Sequence, residues 1–263
     1  MFRPIAIAAL TLSTAALLAQ SPTPRPKFDA FEVATIKPAD PSEPGRYITM
    51  KGNDRFVAIQ YNLKLLIAAA FDVSPRTISG APSWIDSEHF DILAVTPGDI
   101  RPTHDQQMAM LRTLITERFK LTFHREPKEY SIYQLELAPD GPKMKPSTAP
   151  PDDPTQLIST VYPDHVELPA HNATMRDFVS LLQRAVFDRP VVDKTNLTPR
   201  YDFDLIWAPD ETQFGGALPV APSDAPSPPL FTALQQQLGL RLVATRGPVD
   251  AFIIDKVEHP SAN

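Results

Sequence analysis

The chain contains no cysteine, which excludes disulfide bridges, thiolate chemistry and cysteine-ligated metal together. A chain of 263 residues can build a hydrophobic core without such staples. Beyond its first nineteen residues, no apolar stretch reaches the roughly 18 residues that a membrane-spanning helix needs. Basic charge is in deficit: 25 Lys and Arg face 31 Asp and Glu, and no arginine and lysine patch offsets the formal charge of -6. A phosphate backbone is therefore a poor partner, and no nucleic acid is expected. Several catalytic signatures are also missing. There is no Gly-x-Ser-x-Gly elbow, no Ser-x-x-Lys and no His-Glu-x-x-His, and Gly215-Gly216 lacks the Gly-Lys-Ser or Gly-Lys-Thr that continues a phosphate loop.

What is present at the N-terminus has a direction. Met1 and Arg3 precede the apolar run Ile5 to Leu10, and Ala15 to Ala19 supplies the small-residue exit before Gln20. This is the order of a secretory signal. From Ser21 to Lys27, proline then alternates with polar residues, a poor continuation for a buried helix. No cysteine stands at the exit to carry a lipid. The processed chain is expected to be periplasmic or secreted, with no stable membrane insertion.

Thirty prolines punctuate the chain unevenly, with dense tracts at 22–44, 139–169 and 208–229. Proline resists both helix and central strand, so these tracts mark breaks. The resulting division is a signal at 1–19, an extended lead at 20–53 with a strand near 31–36, a unit at 54–138, a linker at 139–164, and a second unit at 165–263 with a loop at 208–229. In the first unit, Phe56 to Ile59 reads as a strand. Asn62 caps a helix whose stripe is Leu63, Leu66, Ile67, Ala70 and Phe71. A strand follows at Phe90 to Val95, then a helix opening on Thr103-His104-Asp105-Gln106. Phe119 to Phe123 reads as a strand, Arg125 to Glu129 as a turn, and Tyr133, Leu135 and Leu137 as one face of the returning strand.

The second unit repeats this order. Thr174 and Asp177 form a capping box before Met175, Phe178, Leu182 and Val186, and Tyr201 to Trp207 alternates as a strand. A last helix is expected with Ser227 as cap and Pro228 and Pro229 in its first turn, followed by strands at 240–244 and 252–257. At a spacing of 121 residues, Leu111 to Leu121 lies over Thr232 to Leu242, Pro127 over Pro248, and Phe119 over Leu240, while Phe90-Asp91-Ile92 echoes Tyr201-Asp202-Phe203. The expected class is α+β, with helices packed on a mostly antiparallel sheet in two related helix-strand-helix-strand-strand units.

Candidate chemistry is sparse. His165 and His171, with Asp164 and Glu167, offer metal-ligand atom types without a spacing that enforces geometry, so no metal and no cofactor is expected. Asp202 and Asp204 share a strand face, as solvated carboxylates commonly do. His124-Arg125-Glu126 reads as a charged turn. Asp193, Lys194, Asp255 and Lys256 recur in like places after apolar pairs, either as one ligand-facing rim or as strand-end turns. Trp84, in Gly80-Ala81-Pro82-Ser83-Trp84, is either an aromatic anchor for a partner or the pin of a loop.

In order along the chain stand Phe31-Glu32-Val33-Ala34-Thr35-Ile36-Lys37-Pro38, Ile78-Ser79-Gly80-Ala81-Pro82-Ser83-Trp84, Glu117-Arg118-Phe119-Lys120-Leu121, Pro190-Val191-Val192-Asp193-Lys194-Thr195 and Ile254-Asp255-Lys256-Val257-Glu258-His259-Pro260-Ser261. In these stretches the chain resembles a family of exported proteins of soil bacteria, especially acidobacteria, that carries the domain of unknown function 3738. The resemblance runs from about Phe28 to Asn263 and implies no catalytic residues. Similar domains stand beside membrane metallopeptidases of the antibiotic-sensor type, which implies sensing or partner binding. The expected function is an extracytoplasmic interaction or ligand-sensing module without catalysis, with a protein or envelope-associated partner. The alternative is a periplasmic hydrolase with a noncanonical site. Mass measurement of the chain expressed in an exporting bacterium should show loss of the N-terminal segment near Ala19, and a retained Met1 would end the export expectation.

Overall fold

The computed structural model describes residues 26–42, 45–151, 153–216, 218, 220–222 and 226–261, so the expected export signal lies outside the described residues. The first half comprises β1 (Val33–Pro38), β2 (Tyr47–Lys51), β3 (Arg55–Asn62), α1 (Leu63–Phe71), β4 (Ile78–Ser79), α2 (Trp84–Ser87), β5 (His89–Val95), α3 (His104–Arg118) and β6 (Thr122–Leu137). The first three strands and β5 form an antiparallel sheet in the order β1-β5-β3-β2. Asn62 caps α1 by accepting from the Leu65 N–H at 2.9 Å, and Thr103 and Gln106 close a reciprocal capping box on α3. The apolar stripes of both helices, Leu66 and Ile67 among them, then bury against Phe56, Ile92 and Phe119.

The second half comprises β7 (Lys145–Pro146), β8 (Gln156–Leu157), β9 (Thr160–Val161), β10 (Val166–Ala173), α4 (Met175–Leu181), β11 (Val191–Asp193), β12 (Tyr201–Trp207), α5 (Leu230–Ala233) and β13 (Leu240–Lys256). Its sheet runs β7-β12-β10-β8, with β9 also on β10, so the strand order of the first half recurs. The proline-rich 139–164 tract is thus more than a connector: it supplies three strands of this sheet. Each of α4 and α5 continues into a π-type turn, Leu182–Val186 and Leu234–Leu238. The last helix starts later than expected, at Leu230, with no side-chain cap. Its approach is held extended instead: the Pro228 carbonyl accepts from the Ala208 N–H at 2.9 Å, which keeps Ser227 and both prolines out of the helix.

The two halves are joined by their last strands. The expected turn at 125–129 does not form, and the two strands expected at 240–257 are one. β6 and β13 instead run antiparallel along their whole lengths, from Leu137 opposite Leu240 to Thr122 opposite Lys256. The prolines that suggested breaks are tolerated for a reason visible in the register. Tyr133 sends its N–H away from β13, to the Pro190 carbonyl, so odd-numbered residues of β6 occupy non-hydrogen-bonded pairs with β13. Pro127 and the Glu129 partner of Pro248 are both odd-numbered, so both prolines point their missing donor away from the ladder. One face of this ribbon carries Phe123 and Ile254 into the first core, and Leu135 and Leu242 into the second. β4 adds in parallel to β13 and β11 to β6, so each half places a strand against the other's long one.

Within this frame the 121-residue spacing is two residues too long. Lys120 and Gly239 both adopt left-handed backbone, at φ 51° and 68°, and both end a helix. Leu121 therefore matches Leu240, whereas Phe119 matches Leu238 in the last helical turn. Tyr133 then coincides with Phe252, and each packs on an aromatic near the end of a helix, Phe187 at 4.9 Å and Phe71 at 5.0 Å. Glycine is required where the halves cross closely. A Cβ on Gly239 would lie 2.0 Å from the Gly141 carbonyl, and one on Gly80 would lie 2.5 Å from that of Ile254.

The deepest correspondence is a β-bulge. β3 shifts register against β5 between Ala58 and Tyr61, and β10 shifts against β12 between Ala170 and Ala173. Each bulge contains one left-handed residue, Gln60 or Asn172. Its N–H, without a ladder partner, donates to a carboxylate on the neighbouring strand: Gln60 to Asp91 at 2.9 Å and Asn172 to Asp202 at 2.8 Å. This accounts for the echo of Phe90-Asp91 in Tyr201-Asp202. Opposite each aspartate stands the lysine of a Lys-Pro pair, Lys37 or Lys145. Because Asn172 is buried, Asp202→Ala strands its N–H and should cost about 1–3 kcal/mol in urea unfolding. Asp202→Asn keeps an acceptor and should cost less, and equal losses in the two variants would contradict this role.

Candidate functional site

A cleft opens where the halves meet. Its volume is about 340 Å³, and its walls are the first turn of α3 with Arg101 and Pro102, the first turn of α4, and Pro151, Asp153, Pro154 and Thr155 with Arg200. That size lies toward the lower end of small-ligand sites. Each wall brings one arginine and one carboxylate: Arg101 and Asp105, Arg176 and Asp177, Arg200 and Asp153. Local structure fixes these positions. The Thr174 and Asp177 side chains close the capping box of α4, with the Thr174 N–H donating to Asp177 at 3.0 Å. The third wall hangs on the bulge: Asn172 donates its side-chain amide to the carbonyls of Pro150 and Asp153, and its own carbonyl accepts from Arg200 at 2.8 Å.

A recess of about 30 Å³ adjoins the cleft between α1, α3 and α4. Asp72 ends α1 in left-handed backbone and pairs with Arg176 across the halves at 3.1 Å. Its other oxygen, Oδ1, is buried with no hydrogen-bond partner among the described residues. His104 projects from the start of α3 into the same region. The surrounding protein mass holds its imidazole below the ordinary value, and the Arg184 guanidinium adds to that, against the pull of Asp177, Asp105 and Asp72. Arg184, itself pushed down by burial, donates to the Ser180 carbonyl and hydroxyl at 3.1 and 3.0 Å. The nearby hydroxyls are thus occupied: Thr103 and Thr174 cap helices, and Ser180 accepts from Arg184. The arrangement can sort ligands by charge, whereas none of these hydroxyls is placed as an activated nucleophile.

The residues singled out in the sequence lie elsewhere and apart. Trp84 starts α2 and stacks on His259 at 4.2 Å and toward Phe119 at 6.5 Å. The C-terminal segment that covers it is held by Arg118, which donates to the Ser261 hydroxyl and carbonyl at 3.1 and 2.8 Å. Asp193 accepts from the N–H and hydroxyl of Thr195 in its own turn, and the Lys194 N–H bonds the Leu135 carbonyl. Asp255 pairs with His124 at 2.8 Å and Lys256 with Glu258 at 2.8 Å. The 193–194 and 255–256 pairs stand at opposite ends of the ribbon, about 40 Å apart at strand rise, so they do not share one rim. His165 lies between Asp164 and Glu167, at 2.8 and 3.2 Å, and His171 lies 3.9 Å from Asp202. No group of metal-ligating side chains converges among the described residues.

The cleft residues were not among the sequence candidates because they come from four separated segments. The available signal was a charged pair in or beside the first turn of α3 and of α4: Arg101 and Asp105 around Thr103, and Arg176 and Asp177 after Thr174. A family model described as a protein of unknown function, DUF3738, matches residues 64–257, and the chain belongs to that family. The matched range covers both long strands and all six charged cleft residues. No curated protein and no solved structure matches the chain.

The two best-defined histidines should titrate in a fixed order. The Asp164 carboxylate, with Glu167 beyond it, raises His165 above 6.5, whereas the protein mass around the base of the solvent-exposed His104 ring lowers that residue below it. Ring-proton NMR on descending pH should show His165 charging before His104. A folded His104 below its unfolded value contributes a small, solvent-screened stability that is full above about pH 6.5 and is lost as pH falls through its folded pKa. The reverse order of titration would mean that the crowded setting of His104 is wrong.

Proposed function

We propose that this member of the DUF3738 family is an extracytoplasmic ligand-sensing or interaction module without catalysis of its own, and that the cleft between its halves is where it meets a ligand. The observation that carries this reading is the cleft's construction. Its walls belong to both halves, so a ligand bridging them would change how the halves are held together, as a sensor requires. Its polar groups divide into those engaged in capping, bracing or pairing and those facing the cavity with charge alone. The order of charge, apolar run and small residues in 1–19 supports placement outside the cytoplasm. Among the described residues, no helix is long and apolar enough to cross a membrane.

The test is a small-molecule thermal-shift screen on the processed chain, followed by amide hydrogen exchange with any compound that raises the midpoint. A ligand at 100 times its dissociation constant contributes about 2.7 kcal/mol of stability. Protection should concentrate in 101–106, 150–155 and 172–177. Stabilising compounds whose protection maps only outside these segments would overturn the cleft as the sensing site, and turnover of a compound bound there would favour the hydrolase alternative.

A further inference from the structure

We propose that the cleft takes a small zwitterion, an amino acid or short peptide with free ends, its carboxylate seated on Arg101 and Arg200 and its ammonium on Asp105 and Asp153. This rests on the reading of the cleft as a ligand site and adds the class of ligand.

The six charges that line the cleft differ in what they already hold. Arg176 is paired with Asp72, and Asp177 is consumed by the capping box of α4. These two belong to the framework. Arg101 and Arg200 bond only carbonyl and hydroxyl oxygens among the described residues: Gly52 for the first, Thr155 and Asn172 for the second. Arg200, which lines the cleft, is braced through one nitrogen, Nη1, and its Nε and Nη2 make no hydrogen bond among the described residues. A guanidinium so held suits a carboxylate, which can accept from two of its donors at once. Asp105 and Asp153 line the same space, and their carboxylates bond no other side chain among the described residues.

Charge balance then selects the ligand. Among the described residues, three guanidinium groups and three carboxylates line about 340 Å³, and this balanced set offers no net attraction to an ion of either sign. A phosphorylated ligand would meet the three carboxylates, and a bare cation would meet the three arginines. A molecule carrying both charges on a short spacer satisfies the open groups of both signs together. Asp72 Oδ1, buried beside the cleft without a partner, adds a further acceptor for an ammonium that reaches the recess. Pro102, Pro151 and Pro154 form rigid parts of the wall, which lowers the ordering cost of binding.

The experiment is calorimetric titration of the full chain with trialanine, its N-acetyl form, its C-amide form, and the doubly capped form. Free trialanine should bind, each singly capped form at least tenfold more weakly, and the doubly capped form most weakly. Asp105→Asn should remove most of the penalty for acetylation. Arg101→Gln with Arg200→Gln should remove most of the penalty for amidation. If the double variant unfolds, because Arg200 also braces Asn172, Arg101→Gln alone carries the test. Capped peptides that bind as well as the free one, or variants that keep full discrimination against both caps, would overturn the proposal. Absence of trialanine binding in a protein whose cleft is protected by a screened compound would reject the zwitterion while leaving the cleft reading intact. Failure of every compound to protect the cleft would remove that reading itself.

Discussion

The fold depends on the pairing of β6 with β13. A hairpin would have closed each half upon itself, but here the two strands pair along their full lengths and present one face to both cores. Phe123 and Ile254 belong to one core, Leu135 and Leu242 to the other, and β4 and β11 attach to the strand of the opposite half. Each half keeps a sheet of its own, but neither can complete the third sheet, β11-β6-β13-β4, without the other's chain. Separation of the halves would expose two apolar strand faces and a long run of backbone donors and acceptors, which is costly in water.

A second constraint links this frame to the cleft. The bulge in β10 puts Asn172 into left-handed backbone, where Asp202 takes its N–H. Its side-chain NH2 group and backbone carbonyl are thereby aimed at the proline-rich tract and Arg200, so one strained position holds this wall. The matching bulge in β3 has the same backbone and the same aspartate contact through Gln60 and Asp91. Its side chain is glutamine rather than asparagine. The backbone device is thus shared by the halves, and the use made of the side chain differs between them.

Charge follows the same logic. In the cleft, Arg101 and Arg200 are steadied by neutral oxygens, so their positive charge is displayed rather than cancelled, whereas Arg176 is paired with Asp72. Elsewhere, pairs such as Arg241 with Glu136 and Lys256 with Glu258 sit on open surface, where solvent screens them and their contribution to stability is small. The distinction between displayed and paired charge marks the cleft out from the rest of the surface.

Local chemistry was legible from the amino acids because it needs only near neighbours. The caps at Asn62, Thr103 and Thr174 follow from hydrogen bonds three residues long, and the alternation of Tyr201 to Trp207 follows from the pleat. The α+β class followed from these periodicities, and the echo of Phe90-Asp91 in Tyr201-Asp202 pointed to a shared device without revealing it. Pro127 and Pro248 misled, because a proline reads as a break unless one knows that its nitrogen faces away from the partner strand. That orientation is a property of register, which exists only once two distant strands have paired. The repeat spacing missed by two for a related reason: Lys120 adopts the left-handed turn that glycine marks openly at Gly239. The cleft was invisible for the same cause on a larger scale. Arg101, Asp105, Asp153, Arg176, Asp177 and Arg200 are ordinary charges on four segments, and only the packing of the two halves around the β6–β13 ribbon gathers them on one cavity.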